Sequence, residues 1–225
     1  MDRGDSCDEK DLGRKNRRDT LVVIGVVVVL VALGFVLARI LNPGYSRRPF
    51  QREEYVLDDY VTISAYGKDQ SQVEAAVEAA FRELYRIQEV ADRHDPGSEL
   101  ARLNAAAAAG PVAVSDDLWE MISVGMEVYG ESGGLFDITV GPLIDLWDVK
   151  GRGERGDPPP TQAEIEEARE KVGAEKLAMD ETAHTVFFSQ AGMAIDLGGL
   201  AKGYALDRAA EALRSRGVDT GVINM

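Results

Sequence analysis

The sequence holds one cysteine, Cys7, and two histidines, His94 and His184, among its 225 residues. A single thiol cannot form an intramolecular disulfide, so the chain is not a small secreted domain stapled by disulfides. Cysteine and histidine are also too few to build a zinc cluster. Any metal site in this chain is therefore expected to use carboxylate and carbonyl oxygens, the ligands that Mg²⁺ prefers.

Positive charge is scarce as well, because 25 lysines and arginines face 39 acidic residues and the formal net charge is −14. Residues 1–42 hold seven basic and six acidic residues, which leaves 18 basic and 33 acidic residues in the remainder. So acidic a surface repels nucleic-acid phosphates, and we expect no nucleic-acid partner. The acidity identifies no other partner, since solubility alone explains it.

One long apolar run is present at residues 20–41, where Arg39 is the single charged residue. About 20 apolar residues span a bilayer, so the run predicts a transmembrane signal anchor. A cleaved signal peptide is the alternative, but the run exceeds the ~7–15 residues of a typical signal core. Six basic residues precede the run and three follow it within a dozen positions. This bias predicts a cytoplasmic tail at residues 1–19 and an extracytoplasmic domain at the cell membrane.

The rest of the chain is expected to contain a linker at residues 42–54 and one globular domain at residues 55–225. Gly and Pro predict a surface loop at residues 151–160. Apolar periodicity predicts strands at residues 56–66, 176–179, 184–189 and 220–224, and helices at residues 71–91, 115–132, 161–172 and 200–213. The predicted fold class is therefore mixed α/β (α+β), with helices packed on β-sheet.

The most informative stretch is DLGGLAKGYALD at residues 196–207. Gly198 and Gly199 can adopt positive φ and allow a ligand to approach the main chain closely. The amphipathic helix that follows would present unpaired N–H groups to an anion, which suits a dinucleotide pyrophosphate. A tight strand-to-helix turn whose Lys202 is merely solvated is the alternative interpretation.

Two further stretches accompany it, HDPGSELARLN at residues 94–104 and GGLFDITVGPLIDLW at residues 133–147. With these three motifs, the chain from about Tyr55 to Met225 resembles the ApbE family, the FAD:protein FMN transferases. The resemblance implies Mg²⁺-dependent transfer of FMN from FAD to a threonine hydroxyl of an acceptor flavoprotein, with release of AMP. Some family members instead hydrolyse FAD to FMN and AMP. A flavin carrier without turnover is a third possibility.

The resemblance also implies a set of site residues, although it assigns no catalytic residue. The main-chain carbonyl of Gly199 is the expected metal ligand, and Asp196 and Lys202 are the expected contacts to flavin and phosphate. The flavin is expected between the DLGG turn and the GGLFD turn. The flavin-facing segment of the second turn corresponds to Leu135, Phe136 and Asp137.

His94 stands where the family commonly has an aromatic residue, and Leu57 opens a signature that in the family reads Met-Gly/Asp-Thr. Leucine keeps the apolar contact of methionine, but Asp59 stands in place of the threonine. Simpler interpretations are a solvated His94, a helix-start cap for Asp196 and a core position for Phe136.

The family continues beyond the residues that correspond to the final GVINM, with an aspartate and a threonine that complete the metal site. We therefore expect the chain to be truncated at its C-terminus and its metal site to be incomplete. The strand at residues 220–224 is then expected to be an exposed edge of its sheet.

Overall fold

The computed structural model describes residues 24–37 and residues 48–225. Residues 24–37 form helix α1, whose side chains are exposed. None of the helices in these two ranges combines the length and the apolar character that crossing a bilayer requires. Residues 20–23 and 38–41 of the predicted span lie outside the described residues, as do the predicted tail 1–19 and residues 42–47 of the predicted linker.

The domain, Arg48–Met225, begins with an antiparallel hairpin of strands β1 (Phe50–Val56) and β2 (Asp59–Tyr66). The linker predicted over residues 42–54 is therefore wrong at its C-terminal end, and the domain starts before Tyr55. The physical reason is that β1 is an edge strand with mostly exposed side chains. Its polar sequence FQREEYV lacks the apolar alternation that marks a half-buried strand.

Strand β2 carries the sheet face that belongs to the core, since Val61, Ile63 and Ala65 alternate with more exposed neighbours and are buried. It also pairs antiparallel with β6 (Thr220–Asn224), which gives the sheet order β1-β2-β6. Strand β6 is thus the edge strand that the sequence predicted. Helix α2 (Gln70–Ala91) contacts this sheet and helix α8 (Ala201–Arg214) with an apolar face at helical spacing.

A second antiparallel sheet, of order β3-β5-β4, contains the predicted hairpin. The mixed α/β fold class is confirmed, and the predicted helices appear with boundaries shifted by at most a few residues. The remaining elements are α3 (Glu99–Ala106), β3 (Val112–Ala113), α4 (Asp116–Glu131), α5 (Gly141–Trp147), α6 (Val149–Arg155), α7 (Gln162–Arg169), a 3₁₀ turn (Ala174–Lys176), β4 (Leu177–Asp180) and β5 (Thr185–Phe188).

Helix α6 corrects the loop predicted over residues 151–160, because that loop begins only at Gly156. Asp148 caps the helix, since its carboxylate accepts a hydrogen bond from the Gly151 amide at 3.2 Å. Its other carboxylate oxygen pairs with Arg155 at 3.0 Å, and Gly156 ends the helix with a φ of 70°. Side-chain contacts at both ends thus compensate for two glycines that disfavour the helix.

Candidate functional site

A cleft of about 290 Å³ lies between the β1–β2 turn, the C-terminal end of α2 and the DLGG turn with the first residues of α8. Four of the residues that the sequence predicted for the site line this cleft: Leu57, His94, Asp196 and Lys202. They come from three separate parts of the chain. The fold therefore brings together the beginning, the middle and the end of the predicted site.

The DLGG turn is held by the carboxylate of Asp196, whose Oδ1 accepts a hydrogen bond from the Gly198 amide at 2.8 Å. Neither Gly198 nor Gly199 has a positive φ. Positive φ is therefore not the reason for the glycine pair, although the space beside each of the two glycines is tight. A Cβ at Gly198 would lie 3.0 Å from Asp196 Oδ1, and one at Gly199 would lie 3.0 Å from the Phe136 ring.

Hydrogen bonds hold the backbone of Ile195 and Asp196, where the chain enters this turn, from two sides. Asn104 of α3 donates to the Ile195 carbonyl at 2.9 Å and accepts from the Ile195 amide at 2.8 Å. On the other side the Asp196 amide donates to the Ile138 carbonyl at 2.8 Å. Asn104 closes the 94–104 motif, but nothing in the sequence pattern predicted a role for it.

Leu135, Phe136 and Asp137 do not line the cleft. Leu135 is 92% exposed, and Phe136 packs against Gly199 and the core. The carboxylate of Asp137 accepts from the Thr139 amide at 2.7 Å and from the Ala174 amide at 3.3 Å, which are structural contacts. The GGLFD turn does not border this cleft, and the expected flavin position between the two turns stays a prediction. The two turns touch, and the cavity lies on the hairpin side of the DLGG turn.

Lys202 is not merely solvated, since its ammonium donates to Asp59 Oδ2 at 2.8 Å. The other oxygen of this carboxylate accepts from the Tyr60 amide at 2.9 Å. The hydrogen bond from Lys202 lowers the pKa of Asp59 below its usual value. Asp59 is therefore ionised near neutral pH and joins the first turn of α8 to the start of β2.

The β1–β2 turn reaches the cleft in a strained conformation. Leu57 and Asp58 have φ values of 55° and 59°, a left-handed region that favours glycine and asparagine at both positions of a two-residue hairpin turn. The amide of Leu57 donates to Gln88 Oε1 of α2 at 2.7 Å. This bond and the Asp59–Lys202 pair hold the turn at the rim of the cleft.

Arg93 is a cleft residue that sequence analysis missed, although it directly precedes the 94–104 motif. Its side chain is 9% exposed and lies between two carboxylates, Asp145 of α5 at 2.8 Å and Asp196 at 3.4 Å. Its Nε and Nη1 atoms are buried without a hydrogen-bond partner in the part of the chain that the structure describes. The pairs connect α5 to the DLGG turn through a single guanidinium group.

His94 lines both the cleft and a neighbouring open groove of about 670 Å³. The groove is lined mainly by α5 and includes Trp147, which is 41% exposed. The amide of His94 donates to Asp92 Oδ1 at 2.8 Å, which fixes the backbone at this position. His94 therefore lies where the cleft and the groove meet.

The charges around the cleft leave no excess of positive charge for an anionic ligand. Three carboxylates, Asp58, Asp92 and Asp196, line it against two cations, Arg93 and Lys202. Within residues 24–37 and 48–225, no three acidic, histidine or cysteine side chains come close enough to hold a metal ion. Gly199, the predicted metal ligand, lies against Phe136 outside the lining of the cleft.

Comparison with known proteins decides the family. The model of the ApbE family matches residues 57–225. The chain belongs to the ApbE family. A protein named FAD:protein FMN transferase from Klebsiella pneumoniae is 28% identical over 180 residues, which cover 80% of this chain and 55% of that protein. A Rhodobacter capsulatus protein of the same name is 33% identical over 179 residues, or 76% of this chain and 32% of that protein.

Solved structures agree with the ApbE assignment. The crystal structure of an ApbE protein from Thermotoga maritima shares 29% identity and a TM-score of 0.69, over 75% of this chain and 53% of that one. The flavin transferase ApbE from Vibrio cholerae, at 24% identity and a TM-score of 0.69, shows the same fold over 79% of this chain and 57% of that one. The chain spans about half the length of the curated relatives from Klebsiella and Treponema that it matches.

Proposed function

We propose that this ApbE chain binds FAD in the cleft beside the DLGG turn and takes part in transferring FMN to an acceptor flavoprotein. The observation that carries the proposal is the convergence of Leu57, His94, Asp196 and Lys202 on one cleft. The names of the relatives, FAD:protein FMN transferase, supply the reaction class. A cleft of this size accepts part of a dinucleotide and leaves the remainder to the neighbouring groove.

In the proposed reaction the hydroxyl oxygen of an acceptor threonine attacks the phosphorus of the FMN half of FAD. The bond between this phosphorus and the bridging oxygen breaks, AMP leaves with that oxygen, and the hydroxyl proton is released to water. Such a transfer depends mainly on positioning and on neutralising the phosphates. We assign Lys202 to a phosphate, His94 and Leu57 to the flavin rings, and Asp196 to holding the turn.

Mg²⁺ fits this site as an ion that enters with the phosphates of FAD, more than as an ion held by the protein alone. Mg²⁺ is commonly bound by one or two carboxylates together with substrate phosphates and water. The lining carboxylates outnumber the cations, so an entering pyrophosphate needs an accompanying positive charge. When bound, the ion would neutralise the pyrophosphate beside the lining carboxylates Asp58, Asp92 and Asp196, whereas Gly199, the ligand that the family resemblance implies, lies outside the lining of the cleft.

Mass spectrometry of an acceptor flavoprotein after incubation with this chain, FAD and Mg²⁺ tests the proposal. We expect a mass gain corresponding to FMN on a threonine and an equal amount of AMP in solution. Release of FMN and AMP without an acceptor would indicate the pyrophosphatase reaction. Binding of FAD with no product in either experiment would overturn the proposal of catalysis.

We further propose that residues 20–41 anchor the chain in the cell membrane, with residues 1–19 in the cytoplasm and the domain outside. The uninterrupted apolar run and the excess of basic residues before it support this arrangement. Protease added to intact cells should digest the domain. Complete protection of the domain in intact cells and digestion after lysis would contradict the proposed orientation.

A further inference from the structure

Lys202 is the cation that a phosphate in this cleft is expected to meet. In the structure its ammonium is already bound to the carboxylate of Asp59. Asp59 is held toward Lys202 from both sides of its carboxylate, by the Lys202 ammonium and by the Tyr60 amide. The side chains of Lys202 and Asp59 are 42% and 44% exposed, so either one can rotate when a ligand arrives. The Asp59 carboxylate is thus the anion that is bound to Lys202 in the structure.

A phosphate that reaches Lys202 meets Asp59 at short range. Asp59 is ionised near neutral pH, because the hydrogen bond from Lys202 lowers the pKa of its carboxyl. Two like charges around one ammonium repel each other, and exposure weakens this repulsion without removing it. When a phosphate binds, Asp59 therefore either loses its hydrogen bond to Lys202 or shares the ammonium with the phosphate, and sharing weakens the binding of the phosphate.

We propose that Asp59 is a specificity-determining residue that competes with the ligand phosphate for Lys202 and so limits the preference for phosphorylated flavins over riboflavin. The inference rests on the proposed function, because it assumes that Lys202 meets a phosphate. Riboflavin has no phosphate, so its binding is insensitive to the competition. FMN and FAD both carry phosphate, and both are affected.

The Asp59→Asn variant tests the competition with little change of shape. Titrations of the full chain with riboflavin, FMN and FAD, at constant Mg²⁺ and followed by flavin fluorescence, give three affinities for each variant. We expect FMN and FAD to bind about two- to fivefold more tightly, the size expected for an exposed ion pair, while riboflavin binding stays unchanged. Thermal unfolding of each variant checks that the domain remains folded.

Glu181→Gln is the control, since Glu181 lies in the exposed β4–β5 turn and does not line the cleft. It should leave the ratio of FMN to riboflavin affinity unchanged. In the Lys202→Gln background the effect of Asp59→Asn should disappear, because the site of competition is gone.

Three results would overturn the inference. Weaker FMN binding in Asp59→Asn would show that Asp59 positions Lys202 for the phosphate, and unchanged FMN binding would show that no competition exists. An equal gain in Glu181→Gln would show a general effect of negative charge. If the unsubstituted chain binds none of the three flavins, the proposed function itself fails, which the first titration reveals before any variant is compared.

Discussion

At the scale of single residues, Asn104 connects the motif at residues 94–104 to the DLGG turn. Its side-chain amide satisfies both the amide and the carbonyl of Ile195, a residue whose side chain is buried. A backbone group that loses its partner away from water destabilises the fold by roughly 1–3 kcal/mol. Asn104 is thus a structural residue of the site, even though it does not line the cleft.

We predict that Asn104→Ala lowers the free energy of unfolding by about 2–4 kcal/mol, because two backbone groups lose their partners together. FAD affinity should fall as well, since the segment that leads into the DLGG turn is released. Urea unfolding and FAD titration measure the two effects. Gln162→Ala, which removes an exposed amide, is the control and should change stability by less than about 0.5 kcal/mol. Equal stability of the two variants would contradict the role given to Asn104.

Substitution of Asp58 is expected to raise the free energy of unfolding, in contrast to substitution of Asn104. Its φ of 59° favours glycine, so Asp58→Gly should stabilise the hairpin by up to about 1 kcal/mol, with the greater chain entropy of unfolded glycine reducing the gain. Chemical denaturation measures the change. Lys68→Gly in the β2–α2 connection controls for the unfolded-state effect of glycine. If Asp58→Gly lowers stability as much as Lys68→Gly does, the positive φ of Asp58 does not destabilise the folded hairpin.

At the scale of elements, α5 approaches the segment before the DLGG turn closely. Val140 and Ala194 form a parallel bridge, and a Cβ at Gly141 would lie 2.6 Å from the Ala194 carbonyl oxygen. This contact involves backbone, which cannot move aside as a flexible side chain does. Gly141 is therefore needed for the two motif segments to meet.

Gly141→Ala should lower the free energy of unfolding by about 1–3 kcal/mol, because overpacking forces the two segments apart. Gly153→Ala is the matched control, since Gly153 lies in the equally short helix α6 and nothing lies within 4 Å of its Cβ position. That substitution should stabilise the domain by up to about 1 kcal/mol through helix propensity. Thermal denaturation of both variants gives the sign of each change, and a shift in the same direction for both would refute the explanation.

Elements with regular apolar periodicity could be predicted from the sequence, and α2, α4 and β6 were found close to their expected positions. Strand β1 was missed because an edge strand buries little and shows no alternation. Helix α6 was missed because side-chain bonds of Asp148 stabilise it against its glycines. The sequence also predicted Leu57, His94, Asp196 and Lys202 in one site, but not Arg93, whose two ion-pair partners lie 52 and 103 positions further along the chain.

At the scale of the whole molecule, acidic residues outnumber basic ones and the formal net charge is −14, so few of the carboxylates can pair with a cation. Arg86 of α2 forms a two-pronged ion pair with Asp117 of α4, and the Tyr204 hydroxyl of α8 donates to the same carboxylate at 2.9 Å. One carboxylate thus connects three helices of the core. The hydrogen bond from Arg86 holds the pKa of Asp117 below its usual value, although partial burial opposes this shift.

This shift predicts how the stability of the domain depends on pH. A carboxylate whose pKa is lower in the folded state stabilises the fold above its unfolded pKa of about 3.9, and the stabilisation is lost as the pH falls through the folded value. We expect Asp117→Asn to lower the free energy of unfolding by about 1–3 kcal/mol at pH 7, with the deficit shrinking below about pH 4 as Asp117 becomes protonated in the unsubstituted chain. Urea unfolding of both proteins from pH 7 to pH 3 measures this difference. Glu181→Gln in the exposed β4–β5 turn should show a small difference that is independent of pH. A deficit in Asp117→Asn that stays constant down to pH 3 would mean that the charge of Asp117 does not stabilise the three-helix contact.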